Sequence, residues 1–179
     1  MARISNTSAY PNIGTPVVSD YLILTDKSDN LITKTATLGD VQSLFGIDTL
    51  VTKVTVNNAS LLTLATTPAI LIPAPGVKKV IDVISIMFFL DAGSVAYDFT
   101  VGSLPIKIGA EQIASIPNSN QAVNSSTDTV FKPEVPSGTN EIIAENTALT
   151  LEAQANPTQG NGVLYANVFY RVLNVDSSF

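Results

Sequence analysis

What most constrains this chain is its punctuation: short runs rich in Val, Ile and Thr, each soon halted by Gly, Pro, Asn or Asp. Branched and aromatic side chains suit a pleated backbone, and the breakers supply the dihedrals that reverse it. The pattern therefore predicts many short strands. They are expected at 51–56, 61–66, 69–72, 79–90, 96–101, 105–108, 129–132, 141–144, 147–153 and 164–175. Pro73-Ala74-Pro75-Gly76, Asp91-Ala92-Gly93-Ser94, Pro136-Ser137-Gly138 and the stretch 156–162 separate them. From residue 49 onward the expectation is an all-β domain, a β-sandwich or jelly-roll-like fold. The polar stretch 115–128 reads as a surface loop or a segment ordered by a neighbouring subunit.

The last strand says most about function. Leu164, Ala166, Val168, Tyr170 and Val172 alternate with Val163, Tyr165, Asn167, Phe169 and Arg171, so large side chains stand on both faces. A strand wetted on one side is normally polar there. Either both faces are covered within this chain, or one packs on another copy of it. Tyr165, Phe169 and Tyr170 are the expected oligomer-interface residues, with a ligand platform as the other use of such rings.

Residues 1–48 have a different texture. Pro11 and Pro16, amid Ser, Thr and Asn, block helix and predict an extended N-terminal arm. Asp20 to Thr25 then forms a short strand, 26–30 a polar turn, and 31–35 a returning strand. Thr37-Leu38-Gly39-Asp40 places an N-cap residue three positions before an acid, predicting a short helix that ends at Gly46. A strand-turn-strand-short-helix module of this size has too few large apolar groups to stand by itself. The reading is two domains, an arm with an anchoring module at 1–48 and a β domain at 49–179.

Composition removes several chemistries. The chain has no His, Cys or Trp. That excludes zinc fingers, haem ligation, disulfide frameworks and His-based nucleophilic triads. The net charge of −6 and the scattered cations argue against nucleic acid and anionic membrane as partners. The most apolar run, Val80 to Leu90, is too short to span a bilayer and contains Asp82. The N-terminus shows no secretory signal pattern.

The remaining candidates for chemistry are carboxylates. Asp20, Asp26 and Asp29 cluster near a turn, but the spacing lacks the glycine and downstream Glu of a calcium loop. Asp82, Asp91 and Asp98 lie in or beside apolar strands, where a carboxylate pair could serve a glycoside hydrolase. The plainer reading has Asp82 facing solvent or pairing with Lys78 or Lys79, and Asp91 capping a turn. No Ser-x-x-Lys, Gly-x-Ser-x-Gly or phosphate-cradling Gly-rich motif occurs. No catalytic, cofactor or metal residues are assigned.

Two stretches resemble small virion structural proteins of tailed bacteriophages. Asp20 to Asp26 with Thr33 to Val41 looks like the modules that fasten phage fibres and decoration proteins to a particle. Ile72 to Val80, running on to Gly93 and Tyr97, is similar to β-rich domains of phage head-fibre and tail-associated proteins. The resemblance implies a non-enzymatic virion protein, a head fibre or capsid decoration before a tail component, often a homotrimer. It would be made in the bacterial host cytoplasm and carried on the virion. Residues 1–48 would contact capsid or other virion proteins by strand addition, with Tyr10, Tyr21, Leu22 and Leu24 as apolar plugs. The alternative is a carbohydrate- or cell-surface-binding β-sandwich, a tail-associated receptor-binding module using the loops at 115–128 and 156–162.

Overall fold

A computed structural model describes residues 17, 19–26, 32–44, 49–100, 102–117, 122–133 and 144–175. The chain divides into two compact units, Met1–Asp48 and Thr49–Phe179.

In the first unit, β1 (Tyr21–Asp26) and β2 (Ile32–Thr37) form an antiparallel hairpin, with Tyr21 opposite Thr37 and Asp26 opposite Ile32. The Leu38 N–H donates to the Asp20 carbonyl at 2.8 Å and closes the open end. Helix α1 (Leu38–Leu44) begins at once. Its start is a reciprocal cap: the Asp40 N–H donates to Thr37 Oγ1 at 3.0 Å, and the Thr37 N–H donates to Asp40 Oδ2 at 2.9 Å. The Thr37 N–H, and with it the Thr37 hydroxyl, donates to the Asp40 carboxylate and favours its ionised form, so Asp40 is held below the usual carboxylate range. Gly46, the expected helix stop, and Tyr10 lie outside the described residues.

The second unit is antiparallel β built from two four-stranded sheets. One runs β3 (Leu50–Val56), β10 (Val163–Asn174), β5 (Lys79–Asp91), β8 (Thr129–Phe131) in spatial order. The other runs β4 (Ala69–Ile72), β9 (Leu149–Leu151), β6 (Ser103–Ile108), β7 (Glu111–Pro117). The period of two sends Ile86, Phe88, Leu90, Leu164, Ala166 and Val168 inward from the first sheet. Leu104, Ile106, Ile108, Ile116, Leu149 and Leu151 from the second join them in one continuous core. Each of the Ile, Leu, Val and Phe side chains among these contributes about 1.5–3 kcal/mol by leaving water.

The ends of this unit differ. Leu50, at the start of β3, lies opposite Tyr170. At that same end the 76–79 turn is held by residues 145–146 and by the Val175 N–H, which donates to the Lys78 carbonyl at 2.9 Å. At the opposite end, where Val163 faces Asp91, the loops 92–100, 122–128 and 154–162 meet.

Some expectations need correcting. Residues 61–66 are not a strand: helix α2 (Asn58–Leu61) and turns occupy the region. Asn57 Oδ1 accepts from the Ser60 N–H at 2.9 Å, so the asparagines start a helix where they were expected only to stop a strand. Leu61 and Leu64, three apart, are both buried. Residues 96–100 bury Tyr97 and Phe99 without joining a sheet, because the Asn124 side chain bonds both the N–H and the carbonyl of Phe99. The stretch expected as loop from 115 contains the end of strand β7, and Ala122, Val123 and Ser125 are buried. Residues 141–143 lie outside the described residues.

Candidate interaction surfaces

The outward face of the β3-β10-β5-β8 sheet can be read row by row from its register. One row runs Thr55, Tyr165, Phe89, Val130 across all four strands. The next runs Lys53, Asn167, Met87, and the third Val51, Phe169, Ser85. Phe89 and Tyr165 stack with ring centroids 6.0 Å apart. Much of this face is bare: Val130 is 64% exposed, Val51 52%, Met87 43% and Tyr165 39%. Lys53 is the one formal charge in these rows.

A bulge between Phe169 and Tyr170 limits the face. Phe169 pairs with Ser85 and Tyr170 with Val83, so Ile84 is the extra residue and is left exposed. Tyr165 and Phe169 share the outer face. Tyr170 turns the other way, packs against the core, and sits with its hydroxyl 3.3 Å from Thr52 Oγ1. Beyond the bulge the outer row becomes ionic. Arg171 pairs with Asp82, its Nε donating to Oδ2 at 2.9 Å. Antiparallel register puts them directly opposite, so Arg171, and not Lys78 or Lys79, is the partner of Asp82.

The other sheet has a different exterior. Its corresponding row runs Ile70, Thr150, Lys107, Gln112. Lys107 Nζ donates to Glu152 Oε2 at 2.7 Å, and Thr150 Oγ1 donates to Glu152 Oε1 at 3.2 Å. Apart from Ile70, this row is polar.

At the loop end, short polar side chains are occupied in holding backbone. Asn156 Oδ1 accepts from the Ala65 N–H at 2.7 Å, and Asp128 Oδ1 from the Ala92 N–H at 2.9 Å. Asp98 accepts from the N–H groups of Thr158, at 2.7 Å, and Gln159, and from the Thr158 hydroxyl. The Thr158 hydroxyl bond is the main cause holding the Asp98 carboxyl below its usual range. The Tyr97 hydroxyl donates to the Gly162 carbonyl at 2.7 Å, and burial raises its pKa to about 12. Gly160, with φ +134°, lies so close to the Tyr97 ring that a Cβ there would be 2.1 Å from it. Among the described residues of these loops, the side chains of Asn124, Asp128, Asn156, Thr158 and Asn161 are thus committed to the fold.

In the first unit Tyr21 is 73% exposed and Leu22 half-buried, whereas the Leu24 side chain lies outside the described residues. Among the described residues no group of three or more His, Cys, Asp or Glu could hold a metal ion, and no helix is long and apolar enough to cross a membrane. Compared with known proteins, the chain matches no family model, and neither a curated protein nor a solved structure shows significant similarity to it.

Proposed function

We propose that this chain is a non-enzymatic structural subunit of a phage virion, a head fibre or capsid decoration in preference to a tail component. Residues 1–48 act as an extended arm and anchoring module on a capsid or other virion protein. The unit at 49–179 is a jelly-roll-like β-sandwich that assembles with copies of itself, a trimer being favoured.

The observation that carries the assembly part of this reading is the outward face around Tyr165, Phe89, Met87 and Val130. An antiparallel sheet facing water is normally polar outside, and contiguous exposed apolar side chains mark an association surface. The virion setting rests on the resemblance of 20–41 and 72–97 to phage structural modules. For the anchor, a two-stranded hairpin is marginal in isolation, so β1 and β2 gain most by adding to a partner's sheet edge. The exposed Tyr21 ring is the described residue best placed to plug into such a partner.

Removal of residues 1–48 tests the division of labour. The shortened chain is expected to fold and to keep the molar mass of the full-length assembly, yet to be missing from purified particles. Normal incorporation without the arm would contradict the anchoring role.

A further inference from the structure

Asn161-Gly162 is the only Asn-Gly pair in the chain. In this pair the glycine has no side chain to keep its backbone nitrogen from the asparagine carboxamide carbon. The pair sits where the loop 154–162 enters β10, at the loop end of the β unit. Asn161 is solvent-exposed and Gly162 buried.

The fold grips this residue on three sides. Asn161 Oδ1 accepts from the Val95 N–H at 2.8 Å, and Nδ2 donates to Ser94 Oγ at 3.0 Å. The Asn161 N–H donates to the Val95 carbonyl at 3.1 Å. One residue on, the Gly162 carbonyl accepts the buried Tyr97 hydroxyl. Space is equally tight: a Cβ on Gly93 would lie 2.0 Å from Asn161 Oδ1, and one on Gly162 would lie 2.8 Å from the Asp91 carbonyl oxygen. Asn161 is therefore the latch between the 92–97 loop and the last strand.

We propose that Asn161 is a built-in covalent modification site, a succinimide-forming asparagine that the 92–97 loop holds in check and whose conversion releases the latch. In the reaction the Gly162 nitrogen loses its proton to water or hydroxide and bonds to Asn161 Cγ. The Cγ–Nδ2 bond breaks as its nitrogen takes a proton from water, and ammonia leaves, closing a five-membered imide. Water then opens the ring at either carbonyl, leaving aspartate or isoaspartate at position 161. For the attack to begin, the carboxamide must leave both Ser94 and the Val95 N–H, so the folded loop opposes the step. Afterwards the donor to Ser94 is gone and a carboxylate joins the end of the unit that already carries Asp91, Asp98 and Asp128. The isoaspartate form also lengthens the backbone and draws the Gly162 carbonyl away from Tyr97. This inference is independent of the virion reading.

Peptide mass spectrometry on the whole chain, aged at mildly alkaline pH in water enriched in heavy oxygen, measures the step. The label should enter position 161, and conversion in the folded chain should be about tenfold slower than in guanidinium-denatured chain, equivalent to about 1.4 kcal/mol of added barrier. Ser94→Ala, which removes one grip but leaves Gly162 untouched, should speed conversion in the folded chain several-fold without changing the denatured rate. Equal rates in folded and denatured chains, or a folded rate unmoved by Ser94→Ala, would overturn the latch. An Asn161 that stays unlabelled in the denatured chain would overturn the site itself.

Discussion

The two four-stranded sheets of the β unit share one core but present opposite exteriors. Both turn Ile, Leu and Val inward. Outward, the β4-β9-β6-β7 sheet shows Thr150, Lys107 and Gln112, and ties its lysine to Glu152. The β3-β10-β5-β8 sheet shows Tyr165, Phe89 and Val130 in a single cross-strand row. The inward faces explain why the unit folds. Of the two exteriors, the β3-β10-β5-β8 face is the costlier to leave in water, and that asymmetry is the ground for the proposed self-association.

The largest effect on self-association should come from placing charge on that face. Met87→Lys is expected to weaken self-association at least tenfold, seen as a shift of the sedimentation profile toward the single chain, because an ammonium would be buried without a partner. Ile70→Lys, on the polar exterior, should leave the profile unchanged. The largest effect on folding stability comes from the contrast between neighbours on β5. Phe88→Ala opens the core beside Phe131, whose ring lies 5.6 Å away, and should cost about 3–5 kcal/mol in denaturant unfolding. Phe89→Ala should cost the single chain about 1 kcal/mol and act mainly on assembly.

A smaller effect separates the loop end from both faces. Tyr97→Phe deletes the hydroxyl bond to Gly162 and should cost about 1 kcal/mol. Its pH signature is distinctive. Burial raises the folded pKa from 10.0 to about 12, so the phenol keeps its proton more firmly when folded. That contribution is complete below pH 10 and lost as pH rises toward 12, the interval between the two states' values. Thermal melts across this interval should fall more steeply for the native chain than for Tyr97→Phe. Smallest are the surface ion pairs: Glu152→Gln and Asp82→Asn should each change stability by under about 1 kcal/mol, less so in high salt.

How much of this was legible in the sequence differs between the two exteriors. The alternation in β10 put Tyr165 and Phe169 on one face from periodicity alone, and the structure keeps them there. Tyr170 could be placed opposite them, but what it meets, Thr52, is a matter of long-range pairing. The Asp82–Arg171 pair escaped for the same reason: the partners are 89 positions apart, and only strand register joins them. Strand β7 was missed because Glu111, Gln112 and Ser115 mask the inward Ile113 and Ile116, which leave a weak apolar signal. Helix α2, Asn-Ala-Ser-Leu, was hidden by the Leu- and Thr-rich turns that follow it at 62–66, and its asparagine cap was the clue that outweighed propensity. Thr37 and Asp40, by contrast, form the local cap that their spacing indicated. Partners across a sheet were not readable, and of the two local caps the Thr37–Asp40 pair was read while the Asn57–Ser60 pair was not.

The central claim is that the β unit associates with copies of itself through the Tyr165 face. Light scattering on the purified chain tests it most directly. The account predicts a molar mass that is a whole multiple of 18.8 kDa, three being favoured, and a return toward 18.8 kDa in Tyr165→Glu. A native chain that stays at 18.8 kDa at every concentration, or an assembly untouched by Tyr165→Glu, would contradict it.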